Sequence, residues 1–408
     1  MIGRLNLIAL MLGLAVGLLI AHYGTPQLVD LVKAMKLVGD LWLNLLKMTL
    51  VPLIFSLVAA STVAALSQMD QGDLVRRTLV AMAALLVLAA AWGGLSGQIL
   101  LMSGLIPSGL LAMPAAAVAH AAPVVGDLVK GLVPSNIVAA ASDGALASVS
   151  IFALLFGLFV ARTQGTRPDR VLPNLLDHMA QAMLAMAEWI LKAAPLAVLC
   201  FSLNLAMTMG AHVASFILID LTCIIVVLTG VIALAYGVAV VFGGQPLARF
   251  AIASLPAQEV GLGTQSSLAA LPLMIEAATQ RLNLPDVTSR LVLSLSVALF
   301  RYTSAASAIA GAMVMAHLYG QPVSLAQIAL AIPTAILVSL ASASIPGMAT
   351  VYAGRSMMFS IFGLPLDLIP VLVAVETLPD IFKTVGNIVA DLALAAVVGR
   401  GAVSSTEG

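Results

Sequence analysis

Residues 364–400, LPLDLIPVLVAVETLPDIFKTVGNIVADLALAAVVGR, decide how the chain is read: an otherwise apolar run carries Glu376, Asp380, Lys383, Thr384, Asn387 and Asp391. Their successive offsets of four, three, one, three and four fall on one side of a helix with ~3.6 residues per turn. A polar stripe about four turns long therefore lies along a segment long enough to cross a bilayer. Lipid cannot face that stripe, so it faces a protein interior or a water-filled cavity, where ionisable groups mark a substrate or ion path. A structural alternative stays open, in which the charges only tie helices together and Asp380 pairs with Lys383 at i, i+3. Pro379 predicts a kink that frees backbone carbonyls beside the carboxylates.

The bulk composition points the same way. Of 408 residues, 62% are hydrophobic and 9% charged, with a mean hydropathy of +1.12, too apolar for a soluble domain. Barrel-type alternation is absent and the apolar runs have helical spanning length, so the chain reads as an all-α polytopic membrane protein embedded in the lipid bilayer. A formal net charge of zero argues against nucleic acid as a partner. Cys200 and Cys223 sit in apolar segments without metal-ligand spacing and read as small buried hydrophobes. The histidines are scattered, with no HExxH or GxSxG context, which weighs against an intramembrane enzyme. Glu376 and Asp380 at i, i+4 are an acid/base candidate, but Lys383 one turn on is the simpler partner. No cofactor is implied.

Taken in order, spans are expected at residues 5–24, 37–67, 78–104, 146–162, 173–206 and 212–242, with an extramembrane connection over 105–133. Lys47 and Pro52 fall inside the second span, where Lys47 is packed or snorkelling. Glu188 and Lys192 in the fifth are expected to pair at i, i+4. Placing Arg4, Arg76, Arg77, Arg162, Arg167 and Arg170 on one side satisfies the positive-inside rule with the amino terminus cytoplasmic.

From residue 245 the plan changes. Residues 255–280, LPAQEVGLGTQSSLAALPLMIEAATQ, precede a long helix over 289–320, and residues 331–363, AIPTAILVSLASASIPGMATVYAGRSMMFSIFG, precede the polar-striped helix. Each has two apolar arms around a small-residue tip, and arms too short to cross alone should turn back within the membrane as re-entrant hairpins. Paired interrupted segments of this kind point to a transporter's binding site near the midplane. Arg355, in the second arm of the second hairpin, is expected either at the membrane interface as an anchor, the favoured reading, or as a partner for the gate.

At these residues the chain resembles the dicarboxylate/amino acid:cation symporter family, the glutamate transporter homologues. LLKMTLVPLIFSLV resembles the family's second span, LVPSNIVAAASDGALASVSIFALLFGL its fourth, GTQSSLAALP its first hairpin tip, and Asp380, Lys383, Thr384, Asn387 and Asp391 its last helix. The resemblance implies eight transmembrane helices plus two re-entrant hairpins in inverted repeats, a homotrimer, and an elevator mechanism in a prokaryotic inner membrane with both termini cytoplasmic. It implies scaffold segments at 1–72 and 106–210, and transport-domain segments at 73–105, 211–244 and 245–408. Asp380 occupies the position that holds a substrate ammonium, Thr384 and Asn387 occupy substrate-binding positions, and Ser266 and Ser267 match the serines near the substrate α-carboxylate. Ser344, Pro346 and Gly347 belong to the gate tip. Lys383 stands where acidic-substrate members place an arginine, offering a point charge without the bidentate fork.

The departure lies in the seventh span. The family's Asn-Met-Asp-Gly-Thr, which coordinates sodium, is replaced by Phe300-Arg301-Tyr302-Thr303-Ser304, and residues 81–91 lack the oxygen side chains of another sodium site. We therefore expect the Arg301 guanidinium to pair with Asp391 as a built-in cation, or else to balance Asp391 or Glu376 for stability alone. The resulting expectation is a secondary transporter for a small amino acid or related carboxylate, coupled to protons through Glu259, Glu376 or Asp391, or sodium-independent. A sodium-coupled dicarboxylate symporter and a passive anion channel are the alternatives.

Overall fold

The computed structural model describes residues 2–69, 72–111, 134–143, 145–164, 171–210, 212–343 and 348–404. The described residues form helices and connecting turns, without strands. Among the described residues, five helices are long and apolar enough to cross a membrane, or six if one bent pair is a single span. Shorter apolar stretches, Ile8–Tyr23 and Ser148–Thr163 among them, fall on two further expected spans.

The amino-terminal part comprises α1 (Ile2–Tyr23), α2 (Pro26–Met69), α3 (Asp73–Met102), a short α4 (Ile137–Ser142) and α5 (Leu146–Gln164). The expected second span is the carboxy-terminal part of α2, which runs unbroken for 44 residues with Pro52 inside it. At ~1.5 Å per residue such a helix exceeds the ~30 Å hydrocarbon core about twofold. The fifth span divides into α6 (Val171–Leu191) and α7 (Ala194–Met209), bent by 55°. Lys192 lies in the turn between them, past the end of α6, so no ion pair with Glu188 forms. Next come α8 (His212–Val241), α9 (Leu247–Thr264), α10 (Ser267–Glu276) and a π turn at Ala277–Arg281.

The remaining elements are α11 (Asp286–Leu299), α12 (Tyr302–Leu318), α13 (Leu325–Ala343), α14 (Met348–Phe362), a 3-10 turn at Leu366–Leu368, α15 (Ile369–Val375) and α16 (Thr377–Ser404). The kink expected from Pro379 is present as the interruption between α15 and α16 at Glu376.

Two packing groups emerge. In one, α1 lies along α7, and α2 along α5, α6 and α7; in the other, α3 lies on α12, and α8 on both α12 and α16. The arms of each hairpin pair with each other, α9 with α10 and α13 with α14. Helix α12 is buried on nearly every side, as an apolar helix at the centre of a bundle should be. Its close approach to α3 requires Gly93, where a Cβ would meet the Ala306 carbonyl oxygen at 2.5 Å.

Candidate functional site

Between α11 and α12 the chain is extended at Phe300 and non-helical at Arg301. This break leaves the first amides of α12 without helical acceptors. Asn387 on α16 answers part of that need: its Oδ1 accepts from the Thr303 amide and the Thr303 hydroxyl, both at 3.0 Å. Gly386 makes room, since a Cβ there would come within 2.4 Å of Thr303 Cγ2. The Arg301 carbonyl accepts from the Ser339 hydroxyl of α13 at 2.7 Å, which ties the second hairpin to the same break. Where the resemblance led us to look for sodium-binding oxygens, Phe300 and Tyr302 are buried, with ring centroids 5.7 Å apart.

Glu376, at the α15–α16 junction, forms two ion pairs. Its Oε2 accepts from the Arg355 guanidinium of α14 at 2.6 Å, and its Oε1 accepts from the Lys383 ammonium about two turns along α16. The three side chains are 6%, 11% and 13% exposed for Glu376, Arg355 and Lys383, too buried for water to screen them. Two expectations are corrected here. Arg355 is not an interfacial anchor, because Glu376 draws it inward. Lys383 pairs with Glu376 rather than Asp380, because the interruption before α16 brings the Glu376 carboxylate over the first turns of the helix.

Beside this cluster a cavity of about 70 Å³ opens between α12 and the second hairpin. On the scale where one water needs ~10–15 Å³, it takes several waters or one small solute. Ser304 and Ser307 of α12, Val338, Val351, Arg355 and Lys383 are among its walls.

The other expected residues scatter more widely. Asp380 is half-buried and, among the described residues, has no ion pair; it does not line the cavity. Thr384 is buried and returns its hydroxyl to the Asp380 carbonyl at 2.9 Å. Ser266 and Ser267 lie at the first hairpin tip, where Ser266 caps α10 by accepting from the Ala269 amide at 3.3 Å. Glu259 is exposed on α9. Ser344, Pro346 and Gly347 lie outside the described residues, as do Arg167, Arg170 and most of the 105–133 connection.

Asp391 is fully buried beside the Ser296 hydroxyl and within electrostatic reach of Arg301, but Ser296 donates to the Leu293 carbonyl and no hydrogen bond of normal geometry reaches either carboxylate oxygen. The expected Arg301–Asp391 pair is therefore not formed. Asn387 occupies the end of α12 next to Arg301, and Asp391 lies one turn, about 6 Å, farther along α16.

Sequence reading missed three features. Asp220 on α8 is 1% exposed with both oxygens unpartnered. It could have been found as the lone carboxylate of the apolar run over 212–241, by the argument applied to Glu376. Arg355 and the Ser304/Ser307 pair were visible as polar residues in apolar helices, but nothing in their spacing brings them to Lys383. Among the described residues no three His, Cys, Asp or Glu side chains gather as a metal site.

Residues 5–400 match the family model described as the sodium:dicarboxylate symporter family. The chain is 30% identical over 279 residues to the C4-dicarboxylate transport protein 2 of Bradyrhizobium sp. (strain ORS 278), covering 66% of this chain and 59% of that protein. It is 28% identical over 283 residues to the C4-dicarboxylate transport protein of Azorhizobium caulinodans, covering 64% and 59% of the two chains. With that of Rhodospirillum rubrum it shares 29% identity over 288 residues, covering 66% and 60%. The chain thus spans about three fifths of the length of these curated relatives. Their names are those of transporters, not of enzymes.

Proposed function

The chain belongs to the sodium:dicarboxylate symporter family, and from that premise we propose that it is a secondary transporter of a small dicarboxylate, resident in a bacterial inner membrane. The observation that carries this reading is the cavity beside the second hairpin, with Lys383 and two serine hydroxyls on its walls. A positive, partly apolar pocket suits an anion whose carbon chain needs no polar partner. Dicarboxylate replaces amino acid as the preferred substrate because Asp380, the residue that would hold an ammonium, stands outside the cavity walls. The names of the relatives support the same choice.

In this proposal eight spans and two re-entrant hairpins cross or enter the bilayer, both termini are cytoplasmic, and three copies assemble. Residues 1–72 and 106–210 form the scaffold; 73–105, 211–244 and 245–408 move as the elevator. The closer packing of α1, α2, α5, α6 and α7 on one another than on α3, α8, α12 and α16 supports that division. Lys383 meets the substrate at the cavity wall, whereas Ser266, Ser267, Thr384 and Asn387, like Asp380, stand outside those walls and frame the site from farther off. Asp391 carries the coupling cation, because a buried carboxylate without a partner needs a cation or a proton. With Phe300 and Tyr302 in place of sodium ligands, the proton is the favoured cation.

Uptake of labelled four-carbon dicarboxylates and amino acids into proteoliposomes, under a sodium gradient, a proton gradient or neither, tests this. Saturable dicarboxylate uptake driven by the proton gradient is expected. Strict sodium dependence would overturn the coupling assignment, preference for an amino acid the substrate assignment, and non-saturating currents the carrier itself.

A further inference from the structure

Resting on the dicarboxylate-carrier reading above, we propose that Arg355, on the second arm of the second hairpin, is a second cationic reader of the substrate, and that Glu376 is the positioning residue that holds it beside Lys383.

The count of donors carries the argument. A guanidinium has five N–H donors and an ammonium three. Among the described residues Arg355 makes one hydrogen bond and Lys383 one, both to Glu376. Both cations also form walls of the cavity, whereas Glu376 does not. One carboxylate hydrogen-bonded behind two cations therefore leaves several donors for whatever fills the space in front, although the buried Asp220 also attracts both cations. A second carboxylate matches that vacancy in charge and in donor geometry, because the planar fork of an arginine takes both oxygens at once. Ser304 and Ser307, on the α12 wall, supply hydroxyls at the same mouth.

The placement also answers a difficulty that the sequence poses. Lys383 is a point charge where acidic-substrate recognition wants a fork. The structure supplies the fork from α14, an element separated from α16 by the α15 interruption. Because α14 leads directly from the second hairpin tip, a substrate carboxylate held by Arg355 bridges that hairpin to α16. Glu376 fixes the orientation of both cations before substrate arrives, so less rotamer freedom is lost on binding.

The test is uptake of a labelled four-carbon dicarboxylate into proteoliposomes, competed by the unlabelled diacid and by its monoamide, with the double variant Arg355→Gln/Glu376→Gln. The double variant removes the Arg355–Glu376 pair but leaves Lys383 without its carboxylate, so Glu376→Gln alone is the control that isolates the contribution of Arg355. Expected are a KM for the diacid raised at least about tenfold, as for the loss of a charge-assisted contact, and collapse of the preference for diacid over monoamide. Arg355→Lys, which keeps the charge and the pair with Glu376, should raise KM severalfold and retain part of the preference. If the double variant transports the diacid with wild-type KM and preference, Arg355 is only the counter-ion of Glu376 and the inference falls. If the wild-type protein shows no saturable dicarboxylate uptake, the carrier reading itself fails, which is a separate result.

Discussion

At the junction of α15 and α16, Glu376 is gripped by Arg355 and Lys383, whereas about four turns along the same helix Asp391 is fully buried with no hydrogen-bond partner for either oxygen. Asp220 on α8 repeats the second condition. The two arrangements respond to opposite forces. At Glu376, low dielectric strengthens attractions already formed, so the cluster rigidifies the meeting of α14 with α16. At Asp391 and Asp220 the same low dielectric penalises a carboxylate left alone. Such groups are candidates for a visiting cation or proton, as the proposed carrier function would require.

Breaking the paired end should have the largest effect. Glu376→Ala strands two buried cations, and removing one partner of a buried pair costs about 3–5 kcal/mol. The unfolding midpoint of the detergent-solubilised protein should fall sharply, and an unchanged midpoint would mean that water reaches the cluster. A smaller loss is expected for Asn387→Ala, which orphans the Thr303 amide at the start of α12 and costs about 1–3 kcal/mol. Faster hydrogen exchange confined to the first turn of α12 would separate this local effect from general loosening.

The unpaired end should respond with the opposite sign. Asp391→Asn keeps shape and removes a buried charge that forms no ion pair, so it should raise the unfolding midpoint, by about 1 kcal/mol in stability; Asp220→Asn should gain less, because its carboxylate attracts Arg355 and Lys383. Asp391→Asn should also make uptake insensitive to the driving cation gradient. Destabilisation by both amides would show that the carboxylates are held by contacts of their own, and the contrast between the two ends would vanish.

The polar stripe, both hairpins, the broken last helix and the buried cysteines were legible because each depends on local chemistry: helical spacing, small-residue tips, a proline, apolar flanks. Partnerships were not. Lys383 has Asp380 three residues away and Glu376 seven away, and only the interruption at Glu376 decides between them. Arg355 lies 21 residues from Glu376 across a connection whose path the spacing does not fix. Asn387 was read as a substrate-binding residue, yet its oxygen caps a helix that starts more than eighty positions earlier. Asp220 was overlooked because a single carboxylate has no pattern, although its isolation was itself the signal.

The smallest expected effect lies at the first hairpin tip, and it asks which side of the contrast a polar residue belongs to when its oxygen is already spent. Ser266 is read as a substrate neighbour, but its hydroxyl oxygen accepts from the Ala269 amide and so closes the start of α10. Loss of an N-cap of this kind costs about 0.5–2 kcal/mol, and the 3.3 Å contact belongs at the weak end of that range. Ser266→Ala should therefore lower the unfolding midpoint slightly, and Ser266→Asn, which can still cap, should restore it. Transport then separates the roles. If KM for dicarboxylate rises in the alanine variant and recovers with asparagine, the side chain serves the substrate through the shape of the tip. A KM that stays high in the asparagine variant while stability recovers would mean that the serine hydroxyl meets the substrate itself.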